Sequence, residues 1–241
     1  MPSQPKTWCF YGDSHLASVK LARDQGLLGE IGDRVSFWGA PGPSFRGLRM
    51  LDGRIVPDPE AREDLALVRG DGPETLGPQD YDHFVFYGAR MRLGEYLKAV
   101  SDHQATMGYL SDAVLAEATS GWLEGVRAYR FARSFAAAGA KVFFVPTPLP
   151  TKGIVNARAE KRLYRIARRR KQVDRILKGL DARCTADGVH LVLQPGETLT
   201  PDLMTRPDFA IDAAQAAKDV VHKSPKFAAI MVGEVVSRLA A

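Results

Sequence analysis

One short segment near the amino terminus combines residue types that could carry out acyl transfer. In "CFYGDSHLAS", residues 9–18, an apolar run ends at Gly12 and is followed by Asp13, Ser14 and His15. A serine hydroxyl on such a strand-to-helix turn becomes a nucleophile when a base lies within hydrogen-bond reach. The alternative is that Ser14 only caps the helix that follows, because serine is among the best N-cap residues. A base elsewhere in the chain, with a group that orients it, would favour the nucleophile.

Two Asp-x-x-His tetrads could supply that base and its orienting carboxylate. Asp219 lies three residues before His222 in "KDVVHKS", just ahead of a helix that begins near Ser224. Within one turn the carboxylate can reach back to the imidazole Nδ1, which holds a catalytic histidine in the required tautomer. Asp187 and His190 have the same spacing but lead into an apolar run, where His190 is expected to be a strand residue. We expect His222 to be the base, with the Asp187/His190 pair as the alternative.

Acyl transfer also needs hydrogen-bond donors for the oxyanion that develops on the attacked carbonyl. The N–H of Ser14, at the start of a helix, is one candidate donor. Gly42, in "WGAPGPSF", offers a second N–H with no side chain in the way, and Arg90 follows a third apolar run. A guanidinium has five N–H donors, so Arg90 could complete the oxyanion hole or instead hold a carboxylate or phosphate of the substrate.

The candidate residues follow apolar runs that alternate with helical patterns. The runs, near-continuous as in parallel strands covered on both faces, are residues 7–11, 34–39, 83–88, 141–146 and 189–194. Helical patterns occupy 15–25, 110–138, 157–183 and the segment from 224 onward. The alternation predicts an α/β fold, a three-layer sandwich with a flavodoxin-like, mostly parallel five-stranded sheet. In such sheets ligands bind at the carboxyl ends of the strands, where the candidate residues stand.

The motifs together resemble those of the SGNH/GDSL hydrolases. Gly12-Asp13-Ser14 matches the first block of that family, with His15 where leucine is usual. Residues 39–44 look like the second block, and Asp219 with His222 matches the Asp-x-x-His block. The resemblance covers nearly the whole chain, because the blocks occur in the family's order at the expected strand ends.

This resemblance implies a Ser–His–Asp mechanism that forms an acyl-enzyme without a metal or another cofactor. It implies serine-dependent hydrolysis of O-acyl esters, with acetyl as the expected acyl group and a carbohydrate as the expected substrate. The opening GDSH and the closing His-x-Ser at 222–224 are also similar to SGNH domains attached to carbohydrate O-acyltransferases, so acyl transfer is an alternative. The family's third block carries an asparagine that completes the oxyanion hole, and here Arg90 replaces it. A non-catalytic SGNH-fold protein that binds an anionic ligand is therefore the alternative from another class.

Composition places the chain among soluble globular proteins. Its 241 residues, 45% hydrophobic and 25% charged, fit a single domain over 1–241, with a surface excursion at about 52–80 that is rich in Gly, Pro and Asp. No apolar run approaches the roughly 18 residues of a membrane span. The opening "MPSQPKTW" lacks a secretory signal pattern, so we expect a cytoplasmic protein without a membrane partner. Two widely spaced cysteines argue against a disulfide framework or a thiolate zinc site.

The net charge of +5 is concentrated in one segment. Residues 157–183 contain eleven Lys and Arg and three acidic residues, whereas the rest of the chain contains 22 basic and 25 acidic residues. At 100° per residue the cations fall on one face of a helix and the apolar residues on the other. This pattern favours the solvated face of a packed helix over a nucleic-acid surface, and little aromatic interleaving accompanies it. The basic face could still attract an anionic substrate.

Overall fold

The structure, a computed structural model, describes residues 6–239. Within these residues the strands are β1 (Trp8–Gly12), β2 (Val35–Gly39), β3 (Leu48–Leu51), β4 (Arg54–Pro57), β5 (His83–Arg92), β6 (Lys141–Thr147) and β7 (Val189–Leu191). The α-helices are α1 (Leu16–Asp24), α2 (Arg62–Arg69), α3 (Leu93–Met107), α4 (Asp112–Gly125), α5 (Arg127–Ala137), α6 (Ala157–Ala167), α7 (Arg170–Ala186), α8 (Ala214–Ala217) and α9 (Pro225–Ser237). The prediction of a cytoplasmic location used the first eight residues, and residues 1–5 of these lie outside the described residues.

Five strands form the central sheet, in the order β2-β1-β5-β6-β7, and all of them are parallel. This order confirms the predicted α/β fold with a flavodoxin-like sheet. Since β2 and β5 lie on opposite sides of β1, the connections after β1 and β2 run in opposite directions. A crevice opens at the carboxyl ends of the strands at such a point. No helix within 6–239 is both long enough and apolar enough to cross a membrane.

Helices cover both faces of the sheet, which confirms the predicted three-layer sandwich. Side chains alternate across a strand, so neighbouring residues enter different halves of the core. Phe10 and Val85 belong to the half that packs against α1 and α9. Tyr11 and Phe86 belong to the other half, formed with α3, α4, α5, α6 and α7. The core thus holds the sheet rigidly between two helical layers.

The carboxyl ends of β1 and β2 approach each other closely because both strands end in glycine. Gly12 and Gly39 lie opposite each other in the parallel register. A Cβ on Gly39, where φ is +153°, would lie 1.9 Å from the Gly12 carbonyl oxygen, and one on Gly12 would lie 2.3 Å from that of Tyr87. Glycine at both positions therefore keeps three strands in register up to the loops that carry Ser14 and Gly42.

The segment 52–80, expected to be a surface excursion, contains regular structure that joins the core. β4 pairs with the preceding strand β3 in an antiparallel hairpin, and α2 lies against β2. Ile55, Leu65 and Leu76 are buried in the same half of the core as Tyr11. The apolar residues of this segment are scattered among turn-forming residues, so its composition resembled that of a loop.

Two of the expected helices are each divided in two. The pattern over 110–138 corresponds to α4 and α5, and the basic segment corresponds to α6 and α7 with a break at 168–169. Asn156 caps α6 by accepting the Ala159 N–H at 3.0 Å. Because of the break, Arg170, which one continuous helix would place among the apolar residues, is exposed at the start of α7. The helix α3 is an element that the sequence patterns do not predict.

Candidate active site

Ser14 lies in the turn that joins β1 to α1. The Asp13 carboxylate accepts the N–H of His15 at 3.2 Å, which closes the turn. The Ser14 Oγ lies 2.8 Å from Nε2 of His222, a residue 208 positions later in the chain. Among the described residues, α1 has His15 as its N-cap residue and no side-chain capping bond there. The Ser14 hydroxyl is therefore directed at a histidine and does not serve as a helix cap.

His222 is held by a carboxylate on its other side. Its Nδ1 lies 2.6 Å from Oδ2 of Asp219, whose Oδ1 accepts the N–H groups of His222 and Val221 at 3.0 and 3.1 Å. A carboxylate only accepts hydrogen bonds, so Nδ1 donates to it and Nε2 is left to accept the Ser14 hydroxyl. Burial raises the pKa of Asp219, but the hydrogen bonds from His222 and Val221 outweigh burial and hold that pKa below its usual value. Asp219 is thus ionised at neutral pH.

The predicted site residues meet at one cleft of about 420 Å³. Its walls come from four strand ends and from the turn before α9: Asp13, Ser14, His15, Gly42, Pro43, Arg46, Arg90, Arg92, Thr147, Val221 and His222. Asp219 stands behind His222 and completes the hydrogen-bonded chain. Gly42 is the first residue of a short 3₁₀ helix that ends at Gly47, and the first N–H groups of a helix have no partner within it. Ser14 and Gly42 both line the cleft, so their N–H groups are the candidate oxyanion donors.

Arg90 lies in the irregular end of β5. The sequence patterns predict this strand over 83–88 and so end it before Arg90. The register with β6 shifts there, and Ala89 and Arg90 adopt φ values of +23° and +59°. Bulges of this kind re-aim a side chain next to a site. The Arg90 guanidinium donates to the Gly42 carbonyl, and its Nε lies 3.6 Å from Oδ2 of Asp13. Arg90 thus ties together the loops after β1 and β2, and its guanidinium borders the cleft from that position.

His15 packs against the ring of His222, with the ring centroids 5.0 Å apart. Its side chain is buried, with a relative exposure of 6%. Burial, with smaller effects of His222 and Lys223, lowers the pKa of His15 to about 4, against an opposing effect of Asp13. Room for the ring comes from Gly88, where a Cβ would lie 2.7 Å from His15 Cβ. His15 is therefore a neutral packing partner for the His222 ring at neutral pH.

Lys223 is buried directly after His222, with a relative exposure of 3%. Its Nζ donates to the carbonyls of Val220 and Val221 at 2.9 and 3.0 Å. Burial lowers the pKa of Lys223 to about 7, although the nearby Asp219 raises it. The side chain thus stabilises the loop that carries both Asp219 and His222.

The second Asp-x-x-His tetrad forms no comparable pair. The Asp187 carboxylate accepts the Tyr129 hydroxyl at 2.9 Å and the Arg183 guanidinium at 2.7 Å. His190 lies in β7 with its ring centroid 5.2 Å from that of Phe143. Within residues 6–239 the carboxylate of Asp187 therefore has other partners, and His190 packs as the strand residue that its context predicts.

The basic segment lies apart from the cleft. Its cations line a separate cavity of about 550 Å³ between α3 and α6, formed by Ser101, Asp102, Ala105, Arg158, Lys161, Arg162, Arg165, Ile166 and Arg169. None of these residues borders the cleft that contains Ser14 and His222. Leu163 and Val173 are buried, as the amphipathic pattern predicts.

Three polar residues of the cleft, Arg46, Arg92 and Thr147, were not singled out in the sequence. Thr147 ends β6 and donates its hydroxyl to the Gly88 carbonyl at 2.8 Å, and a polar residue at a strand end is a signal that could have found it. Arg92 lies beyond the predicted end of its strand, and Arg46 lies in the 3₁₀ helix after Gly42. In the part of the chain that the structure describes, no three His, Cys, Asp or Glu residues are grouped closely enough to hold a metal ion.

Comparison of the chain with protein-family models, with curated proteins and with solved structures finds no match. The functional interpretation therefore depends on the geometry of the cleft and on the motifs that line it.

Proposed function

We propose that this chain is a serine-dependent hydrolase of O-acyl esters related to the SGNH/GDSL hydrolases, acting on acetyl esters of a carbohydrate. The observation that carries the proposal is the hydrogen-bonded chain from Ser14 through His222 to Asp219, with distances of 2.8 and 2.6 Å. A serine, a histidine and a carboxylate connected in this order have the arrangement that activates a serine nucleophile. Their position at the carboxyl ends of parallel strands supports the same function.

In the first half-reaction, Ser14 Oγ attacks the ester carbonyl while His222 Nε2 takes its proton. Asp219 stabilises the imidazolium that results, since its carboxylate is ionised and bonded to Nδ1. The N–H groups of Ser14 and Gly42 are the proposed donors to the tetrahedral oxyanion. The C–O bond to the alcohol then breaks, and His222 returns the proton to the departing oxygen. The acyl group remains on Ser14 as an ester.

In the second half-reaction, water enters the cleft and His222 removes a proton from it as it attacks the acyl-enzyme. The bond between Ser14 Oγ and the acyl carbon breaks, Oγ regains the proton, and a carboxylic acid leaves. If a second alcohol replaces water, the same steps give a new ester. Hydrolase and transferase therefore share the acyl-enzyme and differ only in the acceptor.

The test is covalent labelling with a serine-directed fluorophosphonate, followed by mapping of the adduct by mass spectrometry. We expect a single adduct on Ser14 that is lost in both Ser14→Ala and His222→Ala, because labelling requires the activated hydroxyl. Ser44→Ala is the matched control, since Ser44 lies on the neighbouring loop and hydrogen-bonds Asp64 instead. An unlabelled Ser14 would contradict the proposal and favour a binding protein on the same fold.

A second measurement separates hydrolysis from transfer. A burst of alcohol release from an activated acetyl ester reports the acyl-enzyme, and added sugar acceptors then compete with water for it. Release of acetic acid alone supports the hydrolase, whereas acetylated sugar as the main product supports the transferase.

A further inference from the structure

A second cavity, of about 380 Å³, adjoins the catalytic cleft. The two share Arg46, Arg90 and Arg92 as lining residues, so they are adjacent, and we refer to them together as the groove. The second cavity is lined by Phe45, Arg46, Ala89, Arg90, Arg92, Glu95, Trp122, Gly125, Val126, Arg127 and Ala128. A substrate whose ester lies at Ser14 can therefore extend past the shared arginines into this space, which we name the arginine subsite.

The charges around the groove are strongly unbalanced. Four guanidinium groups line it, and the only carboxylates among its lining residues within 6–239 are those of Asp13 and Glu95. Asp13 lies near Arg90, and Glu95 forms an ion pair with Arg92 at 3.0 Å. Both side chains of the Arg92–Glu95 pair are more than 60% exposed, and exposed pairs are weak. The groove therefore keeps an uncompensated positive charge that an anion can neutralise.

The four arginines differ in how free they are to bind a ligand. Arg90 and Arg127 donate to backbone carbonyls of the 42–47 segment, which fixes them in the wall. Arg46 is exposed, and its side chain has no hydrogen bond or ion pair among residues 6–239. Among the described residues, the Arg92 side chain pairs only with the exposed Glu95. Arg46 and Arg92 are thus the two guanidiniums that can turn to a bound anion, and a guanidinium fork fits carboxylate and phosphate groups.

The far wall of the arginine subsite is aromatic. The Trp122 ring is half-buried and packs against Tyr96 with the centroids 4.6 Å apart, so its orientation is supported from behind. An indole held in this way offers a flat apolar surface beside the cations. The combination of a flat apolar surface and free guanidiniums suits a ring that carries a negative charge.

We infer that the arginine subsite binds a carboxylate or phosphate on the alcohol portion of the ester, so that the substrate of Ser14 is an anionic O-acyl sugar. This inference rests on the proposed esterase function for the reaction, but the binding it requires does not depend on turnover. Arg46 and Arg92 bind the anion, and Trp122 packs against the sugar ring.

The kinetic test compares the O-acetyl esters of three glucose derivatives, acetylated at the same hydroxyl. These are methyl glucoside, methyl glucuronide and methyl glucoside 6-phosphate. We expect the wild-type KM for at least one anionic ester to be at least about 10-fold below that for the neutral ester, since hydrogen bonds to charged groups are strong. Arg46→Gln with Arg92→Gln should raise the KM of the preferred anionic ester by about 10- to 100-fold and change the KM of the neutral ester far less. Whether the carboxylate or the phosphate ester responds identifies the anion.

Arg238→Gln is the matched control, because Arg238 is exposed at the end of α9 and lies outside both cavities. It should leave the kinetics of all three esters unchanged. Equal KM values for neutral and anionic esters in the wild type would overturn the inference. A double variant that affects the neutral ester as strongly as the anionic ones would overturn it too.

A binding experiment keeps this inference separate from the proposed reaction. Methyl glucuronide, glucose 6-phosphate and methyl glucoside are titrated calorimetrically into Ser14→Ala protein, which cannot turn over. Binding of an anionic sugar that is lost when Arg46 and Arg92 are also replaced supports the subsite, even if fluorophosphonate labelling of the wild type fails. If neither anionic sugar binds more tightly than methyl glucoside, the subsite is refuted whatever the outcome of the labelling.

Discussion

The chain contains the tetrad Asp-x-x-His twice, and the two copies adopt different backbone structures. Asp219 and His222 lie in an irregular turn before α9, where the chain folds back and places the carboxylate 2.6 Å from Nδ1. Asp187 is the C-cap residue of α7 and His190 lies in β7. A strand advances by about 3.3 Å per residue, so it carries the imidazole away from the carboxylate. Identical spacing therefore has different meanings in a turn and in a strand.

The surroundings of the two histidines differ as well. His222 contacts a hydroxyl, a carboxylate and a second imidazole at the carboxyl edge of the sheet. His190 packs on Phe143, the residue opposite it in the β6–β7 register. One histidine is thus held between polar groups that can exchange a proton with it, and the other is part of the packing of an edge strand.

The largest expected effect separates the two histidines by activity. Ser14→Ala and His222→Ala should each lower kcat for an acetyl ester by about 10⁶-fold, because the nucleophile and its base act as a unit. The double variant should be little worse than either single one. His190→Ala is the control and should keep wild-type kcat. Loss of activity in His190→Ala with an active His222→Ala would reverse the roles of the two tetrads.

The carboxylates should differ almost as sharply. Asp219→Asn should lower kcat by about 10⁴-fold, because an amide favours the wrong tautomer of His222. Asp187→Asn should keep kcat but lower the free energy of unfolding by about 1 kcal/mol, through weaker bonds to Tyr129 and Arg183. Steady-state kinetics and urea denaturation measure the two effects. Equal losses of activity in both variants would contradict the prediction that only Asp219 takes part in catalysis.

A smaller effect is expected where Arg90 positions the site. Removing its guanidinium removes the contacts with the Gly42 carbonyl and the Asp13 carboxylate. The Gly42 N–H should then shift away from its position as a proposed oxyanion donor. Arg90→Ala should lower kcat on a neutral ester by about 10²-fold with little change in KM, the effect of losing one oxyanion donor. Arg90→Lys, which keeps the charge near Asp13, should recover part of kcat. An unchanged kcat in Arg90→Ala would remove Arg90 from the catalytic machinery.

The smallest expected effect is on stability and concerns the residue that follows each tetrad. This residue is Lys223 after His222 and Leu191 after His190. The pKa of Lys223 is about 7 in the folded protein, against an ordinary value of 10.5. Between these values the unfolded chain binds a proton that the folded protein does not, so stability rises with pH in that window. Relative to Lys223→Met, the wild type should gain about 2 kcal/mol in the free energy of unfolding from pH 7 to pH 9. Urea denaturation of both proteins at these pH values measures the gain, and a constant difference would show that Lys223 titrates normally.

Much of the architecture follows from local patterns. Five apolar runs predict five buried parallel strands, and the structure contains all five in a flavodoxin-like order. The proposed choice of His222 over His190 also follows from context, since an apolar run after Asp187 predicts a strand and a capped helix after His222 predicts a turn. Local patterns succeed here because burial on both faces of a sheet requires continuous apolar sequence.

Other features were decided only by tertiary packing. The bulge that turns Arg90 toward Gly42 arises from a register shift between β5 and β6, and a register shift between strands distant in sequence leaves no local pattern. The burial of Lys223 depends on the packing of the turn before α9, and α9 itself is held against α1. The segment 52–80 joins the core because α2 packs against the edge strand β2 and because Ile55 and Leu76 are buried. The sequence by itself determined which residues could react and which segments must be buried, because both depend on residue type and periodicity. The tertiary structure decided which of those residues meet, because contacts between residues as far apart as Ser14 and His222 depend on strand order and register.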